Sequence, residues 1–382
     1  MMPTLLDRNK PFPKHSSRKH SYRKQGALMI ASLCLTLGFT SAGTYADQGA
    51  VSLQQAGPLA FAPGGVLLIG DTKAATLYAV ETKDLNTLEG RGEINLQKID
   101  AKIAAALGTS TDNILINDLA VNPLSGKAYL SVSRGKGPEA QAIILTISPD
   151  GTLKELALNQ VTYTKAALPN APGEEDKDRR GRSTRLMSIT DMSYHNGKVV
   201  VAGLSNEEFA SNLRVLDFPF STSGKGTAVE IYHGNHGQWE TRSPVSTFTT
   251  VNIEGTDYVV AAYTCTPLVL FPLDALKEET KINGITVAEL GARNRPLDMF
   301  VYGEEGNQHI LMSNSSYGIM KISMKDITKV DGIEERVGGT AGQDFETVEE
   351  LKGVIQLAQA NNGALAIIDN NGGLDLRSIN LP

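Results

Sequence analysis

One local pattern recurs six times along this chain. A short apolar segment is followed by a glycine-bearing turn, an alternating strand, a second turn and a third strand. The sharpest copy is residues 117–132, NDLAVNPLSGKAYLSV. The same grammar returns at 190–202 (TDMSYHNGKVVVA) and 297–312 (LDMFVYGEEGNQHILM). Fainter copies begin at Gly57 (GPLAFAPGGVLLIG), Ser246 (STFTTVNIEGTDYVVAAYT) and Ile355 (IQLAQANNGALAIID). Third strands are read at 76–80, 142–147, 213–218, 268–271, 319–323 and 374–379. Alternating, β-branched runs bounded by Gly, Asn and Asp are strand-and-hairpin language, and internal repetition at this spacing points to a radial array.

The expected fold is therefore all-β: a single β-propeller of six four-stranded blades. A blade typically takes about 40–50 residues. Residues 47–382 divided six ways allow 56 each, which leaves room for enlarged loops. Fourth, outer strands are read at 91–97, 153–158, 229–232 and 285–290. The chain stops at Pro382 three strands into its last blade. The missing strand is expected from residues 50–55, so that the N-terminal strand pairs with the C-terminal blade and closes the ring. A β-sandwich or two smaller β-domains is the competing architecture, but a sandwich does not require six copies of one hairpin grammar.

The segment Asn122-Pro123-Leu124-Ser125-Gly126-Lys127-Ala128-Tyr129 resembles the bacterial Tyr-Val-Thr-Asn and NHL-type repeat propellers, whose blades place Pro, Gly-Lys and Tyr at this hairpin. The resemblance is at superfamily level. It implies a propeller whose relatives include gluconolactonase-type metal-dependent hydrolases as well as pure binding platforms. No residue matches the lactonase metal ligands one for one, so none is carried over.

Residues 1–46 read as a signal peptide. Arg8, Lys10, Lys14, Arg18, Lys19, Arg23 and Lys24 stand against Asp7 alone, an apolar run spans 27–39, and a small residue, Ala46, ends the segment. The run is short for a membrane span, which needs about 20 apolar residues; an uncleaved anchor is the alternative. The expected location is periplasmic or secreted, with no transmembrane span once the leader is removed. The leader carries seven of the 36 basic residues and one of the 42 acids, leaving 29 against 41, a net charge of −12. So acidic a domain lacks the basic footprint of a nucleic-acid binder. Of two cysteines, Cys34 falls in the leader and Cys265 remains, so no intramolecular disulfide is expected.

In a propeller, links between blades and turns between second and third strands open on one end of the channel. Here the first-to-second turns are short, whereas the links are long: 99–116, helical around 101–107; 161–189; 233–244; 291–296; and 337–353, helical around 347–351. Function is expected on that long-loop face. Three clusters are candidates. Asp118, Asp191 and Asp298 open innermost strands, where they would either bind a cation or accept backbone amides of adjacent blades. In residues 232–242, YHGNHGQWETR, His233 and His236 have the chemistry of metal ligands. Cys265 falls in a turn on the same face, adding a soft sulfur that suits copper or zinc. Trp239, Arg242, Arg293 and Arg295 are candidate ligand-binding residues on that rim, and Arg182 or Arg185 are placed to reach over the channel mouth.

No Gly-x-Ser-x-Gly elbow, phosphate-binding loop, His-Glu-x-x-His or haem-attachment motif occurs. The leading expectation is a binding platform for a small molecule or protein partner. The alternatives are a lactonase-like metal-dependent hydrolase using the channel acids and a copper redox protein using His233, His236 and Cys265. The cofactor class these clusters accept is a divalent metal: calcium, zinc or copper.

Overall fold

The structure, a computed structural model, describes residues 46–87, 92–265, 267–361 and 363–382. All but one residue of the expected signal peptide lie outside the described residues. The chain forms six antiparallel blades around a channel. Numbered by their innermost strands along the chain, blade 1 begins with Ala56–Ala62, blade 2 with Ile114–Val121 and blade 3 with Asp191–His195. Blade 4 begins with Val245–Ile253, blade 5 with Pro296–Tyr302 and blade 6 with Val354–Ala360. All six hairpin units of the sequence are present. The second strands, such as Val66–Asp71, Lys198–Leu204 and Thr256–Tyr263, are buried on both faces over most of their length. That is why they read VLLIGD, KVVVAGL and TDYVVAAY rather than as strict alternation.

The blades do not follow chain order around the ring. Blade 2 lies between blade 1 and blade 6, so the circuit runs 2-1-3-4-5-6 and returns to 2. Six hydrophobic clusters record the same order. Leu67 and Ile69 of blade 1 pack on Tyr129 and Ile144 of blade 2. Leu119 and Leu145 of blade 2 pack on Leu365 and Ile367 of blade 6. Leu68 and Leu77 of blade 1 meet Val199 and Val201 of blade 3. Blades 3 and 4, 4 and 5, and 5 and 6 share the other three clusters. Each fully buried Leu, Ile or Val contributes about 1.5–3 kcal/mol, so every inter-blade seam is a core in its own right.

The exchange of blades 1 and 2 is made by two crossing strands, and here the structure corrects the expected closure. The fourth strand of blade 6 is Asn95–Leu96, with Leu96 opposite Leu376 and Asn95 opposite Arg377. It is not residues 50–55. The fourth strand of blade 1 is Val161–Ala167, which runs beside Thr76–Glu81 on the way from blade 2 to blade 3. The N-terminal strand Asp47–Gly49 adds to the outside of Val161–Ala167. Residues 50–55 are diverted because buried Asp71 accepts the backbone N–H groups of Gln54 and Gln55 at 2.7 and 3.1 Å. The ring is still closed by an early part of the chain, but one that lies beyond blade 1.

Two smaller expectations also change. The helix near 101–107 is present as Ile99–Ala106. The one expected around 347–351 is instead the outer strand Phe345–Val348, followed by a short 3-10 turn. Its FETV sequence suits a sheet edge, and Ile319–Ile322 offer it a complete ladder.

Candidate functional site

Two of the channel aspartates sit just after a bulge in an innermost strand. In blades 2 and 5 the register shifts between Ile116 and Asp118 and between Pro296 and Asp298; Asp191 opens the innermost strand of blade 3. Asp118 Oδ2 accepts the N–H of Leu59 at 2.6 Å, from blade 1. Asp191 Oδ2 accepts Phe248 N–H and the Thr247 hydroxyl, both at 2.8 Å, from blade 4. Asp298 Oδ2 accepts Leu357 N–H at 2.7 Å, from blade 6. The aspartates thus sit on alternate blades of the ring, and each reaches one way round to the next. Of the two roles open to them in sequence, the structure places one oxygen of each on a neighbouring backbone amide.

These side chains face one another across a cavity of about 330 Å³ that is also lined by Phe61, Met192, Tyr194, Phe248 and Phe300. Burial pushes the Asp118 carboxyl up to about 7, assisted by the Asp191 charge and opposed by the Leu59 and Leu119 amides. Burial likewise raises Asp191 to about 6 against the bonds from Phe248, Thr247 and Met192. Asp298 is raised well above the usual carboxylate range by burial and by the two other charges. A ring of this kind holds protons near neutrality.

The second cluster is built on the long-loop face beside blade 4. The outer strand Thr227–His233 pairs with Ser211–Asp217 only through Thr227 and Ala228. Along its other edge Ala228–Glu230 lie beside Lys281–Asn283 of the next blade. This leads His233 toward Glu289 on the outer strand of blade 4. The turn 234–237 folds back into Gln238–Glu240, with His233 opposite Gln238. Gly234 N–H and Asn235 Nδ2 donate to the two oxygens of buried Glu289 at 2.6 and 2.7 Å. From the other side Val337 N–H donates to Gly234 O at 3.0 Å, and the Arg336 side chain lies against Gly237. The turn is thus fixed on both flanks.

Within it the two imidazoles lie with centroids 3.8 Å apart and planes inclined by 38°. Glu240 bridges them: Oε1 is 2.6 Å from His236 Nδ1, and Oε2 is 3.2 Å from His233 Nδ1. Ser243 donates to the same carboxylate at 2.8 Å. Burial pushes Glu240 up, but contacts with both imidazoles and Ser243 outweigh it and hold the carboxyl far below its usual range. Cys265, from the second-to-third turn of blade 4, completes the group. One ligand atom each from His233, His236 and Cys265 lie within 4.8 Å of one another. Cys265 has φ of +67°, a conformation that costs an L-residue about 1–2 kcal/mol. Its N–H donates to Asn294 O at 2.7 Å.

The remaining candidates surround this cluster. Trp239 is 41% exposed and stands edge-on to Tyr232, centroids 5.5 Å apart. Arg242 is exposed two residues beyond Glu240, and exposed Arg293 and Arg295 flank the Asn294 that holds Cys265. Arg185 does not reach over the channel. Its guanidinium donates to the carbonyls of Lys73, Pro172 and Ala74 at 2.8, 2.9 and 3.0 Å and ties the long link to blade 1. Arg182 does not reach over it either, being paired with Asp178 at 2.7 Å within its own loop. Sequence reasoning missed Glu289 and Asn294, whose partners lie 55 and 29 residues away with no local pattern to announce them.

No family model matches this chain, and no curated protein does. Among solved structures it is similar in fold to a PQQ-bound aldose sugar dehydrogenase from Streptomyces coelicolor, at 11% identity over 87% of this chain and 96% of that one, TM-score 0.33. It is also similar to an alpha-L-arabinofuranosidase from Clostridium thermocellum, at 10% identity over 66% of this chain and 82% of that one, TM-score 0.36. A chain in a mitotic checkpoint complex matches at 8% identity over 96% of this chain and 99% of its own, TM-score 0.33. At these identities and scores the likenesses assign no activity to this chain.

Proposed function

We propose that this six-bladed propeller is an exported binding platform that docks an acidic partner protein on its long-loop face. The observation that carries the reading is the placement of its arginines. Arg179, Arg180, Arg242, Arg293, Arg295 and Arg336 are exposed in the loops of that face and form no ion pair among the described residues. On the opposite face half-buried Lys198 is paired with Asp217 and exposed Lys329 with Asp326 and Glu254, while exposed Lys325 has no ion pair among the described residues. Unpaired guanidinium groups are suited to bidentate contacts with carboxylates. Trp239 and Leu186, each 41% exposed, and Tyr317, 45% exposed, lie on the arginine-bearing face, and aromatic and arginine side chains dominate interface energetics.

The test is salt-dependent capture by wild type and two charge-reversed variants. Arg242→Glu/Arg293→Glu/Arg295→Glu is expected to lose a specific acidic protein that wild type retains at low salt. Lys198→Glu/Lys325→Glu/Lys329→Glu, on the other face, is expected to keep it. Equal retention by both variants overturns the reading. Export carries its own expectation: protein made with its leader begins at Asp47 when its N-terminus is sequenced. An intact Met1 in the exported fraction removes the cleaved-leader reading.

A further inference from the structure

We propose that His233, His236 and Cys265 bind one thiophilic d10 metal ion, Cu(I) by preference and Zn(II) as the alternative. The site does not depend on partner docking, and either can fail alone. Two independent observations meet here. The first is convergence: three ligand atoms from the blade 3–4 link and the blade 4 turn lie within 4.8 Å. The second is an unfinished hydrogen-bond account. His233 is 2% exposed, yet neither ring nitrogen has a hydrogen-bond partner in the structure. Its Nδ1 lies 3.2 Å from Glu240 Oε2 without forming a hydrogen bond, and Nε2 has no partner. Buried imidazole nitrogens are ordinarily paired, and a metal at Nε2 supplies the missing bond.

The donor set selects the ion. One thiolate with two imidazoles is soft to borderline and disfavours calcium and magnesium, which take oxygen ligands. Three ligands complete a trigonal Cu(I) site, whereas Zn(II) usually adds a fourth ligand, here a water at the exposed side of His236. Glu240 is the positioning residue, since it meets Nδ1 of both imidazoles and so directs both Nε2 atoms away from itself. Cys265 sits where glycine or asparagine would hold the left-handed turn more readily. A thiol kept at a position that disfavours its backbone is consistent with a ligand role.

Equilibrium dialysis of the full chain against zinc chloride, and of the reduced chain against Cu(I) held by a chromogenic chelator, tests the site. One ion per chain is expected. Cys265→Ser and His236→Ala, both outside the core, should weaken it on the order of 100-fold, and Glu240→Gln about 10–100-fold. His195→Ala, paired with Asp257 on the opposite face, should leave it unchanged. Cobalt(II) should give a sulfur-to-metal charge-transfer band that Cys265→Ser abolishes. One zinc per chain with the same variant dependence, but no Cu(I), supports the site and assigns it to Zn(II). No ion from either source, or an affinity unmoved by Cys265→Ser in a variant that melts like wild type, overturns it.

Discussion

Replacing Asp84 by alanine is expected to lower stability by about 3 kcal/mol, read as a reduced urea midpoint at unchanged slope. Asp84 follows the third strand of blade 1 and is 7% exposed. It gathers the donors of the 122–129 hairpin of blade 2. Ser125 Oγ lies 2.5 Å from Oδ2, Lys127 Nζ 2.6 Å from Oδ1, and Asn122 Nδ2 and Tyr129 Oη 3.1 Å from Oδ2. Alanine takes the carboxylate away from Ser125, Lys127 and the buried Tyr129, whereas Asn122 Nδ2 keeps its bond to the Asp84 carbonyl at 2.8 Å. Lys127→Met is expected to cost less, about 1 kcal/mol, because the lysine side chain is 31% exposed and its pairing is partly screened. A midpoint for Asp84→Ala within error of wild type would show that blades 1 and 2 are joined by their apolar seam alone. The pH dependence has a definite sign. Burial pushes the Asp84 carboxyl up, but Lys127, Ser125 and Tyr129 outweigh it and hold it below its ordinary value. Its contribution is therefore complete above about pH 4, the value in the unfolded chain, and is lost as pH falls through the folded value.

That network also shows what the sequence could and could not disclose. Asn122, Ser125, Gly126, Lys127 and Tyr129 stand out as a motif because they share one hairpin, and the motif announces a propeller. Their common partner, Asp84, lies 38 to 45 residues upstream of its side-chain donors in a stretch with no periodicity. The six hairpins were legible because their pairing is local. The order of the blades was not, because Asn95–Leu96 and residues 50–55 are both short segments, told apart by long-range contacts: Gln54 and Gln55 on Asp71 and Val51 on Leu158, against Ile94 on Ser378 and Lys98 on Asp375. His233, His236 and Cys265 could be placed on one face because turns at the same end of neighbouring blades converge whatever the ring order. The bracing of that turn by Glu289, and by the 333–339 segment of blade 5, depends on long-range packing that no spacing encodes.

The channel carboxylates should give the opposite pH response. A carboxyl whose folded value lies above its unfolded one binds its proton more tightly in the native state, so stability rises as pH falls through that interval. Asp118 at about 7 and Asp191 at about 6, with Asp298 raised in the same sense, place the interval between about pH 4 and pH 7. A carboxyl whose pKa rises tenfold in proton affinity on folding contributes about 1.4 kcal/mol to this response. Allowing for screening by water in the channel, the wild-type protein should gain on the order of 2–3 kcal/mol between pH 8 and pH 5. With the loss of Asp84 below pH 4, the optimum falls in the mildly acidic range. The triple substitution Asp118→Asn/Asp191→Asn/Asp298→Asn keeps an oxygen for Leu59, Phe248 and Leu357 but removes the charges. It should be more stable than wild type at pH 8, close to it at pH 5, and nearly flat between them. Urea midpoints at four pH values distinguish the cases. A variant that retains the wild-type slope would mean that the rise originates elsewhere and that the three carboxyls titrate as ordinary solvated acids. A flat variant would identify the ring as a set of inter-blade braces that hold the wheel most firmly when protons sit among them.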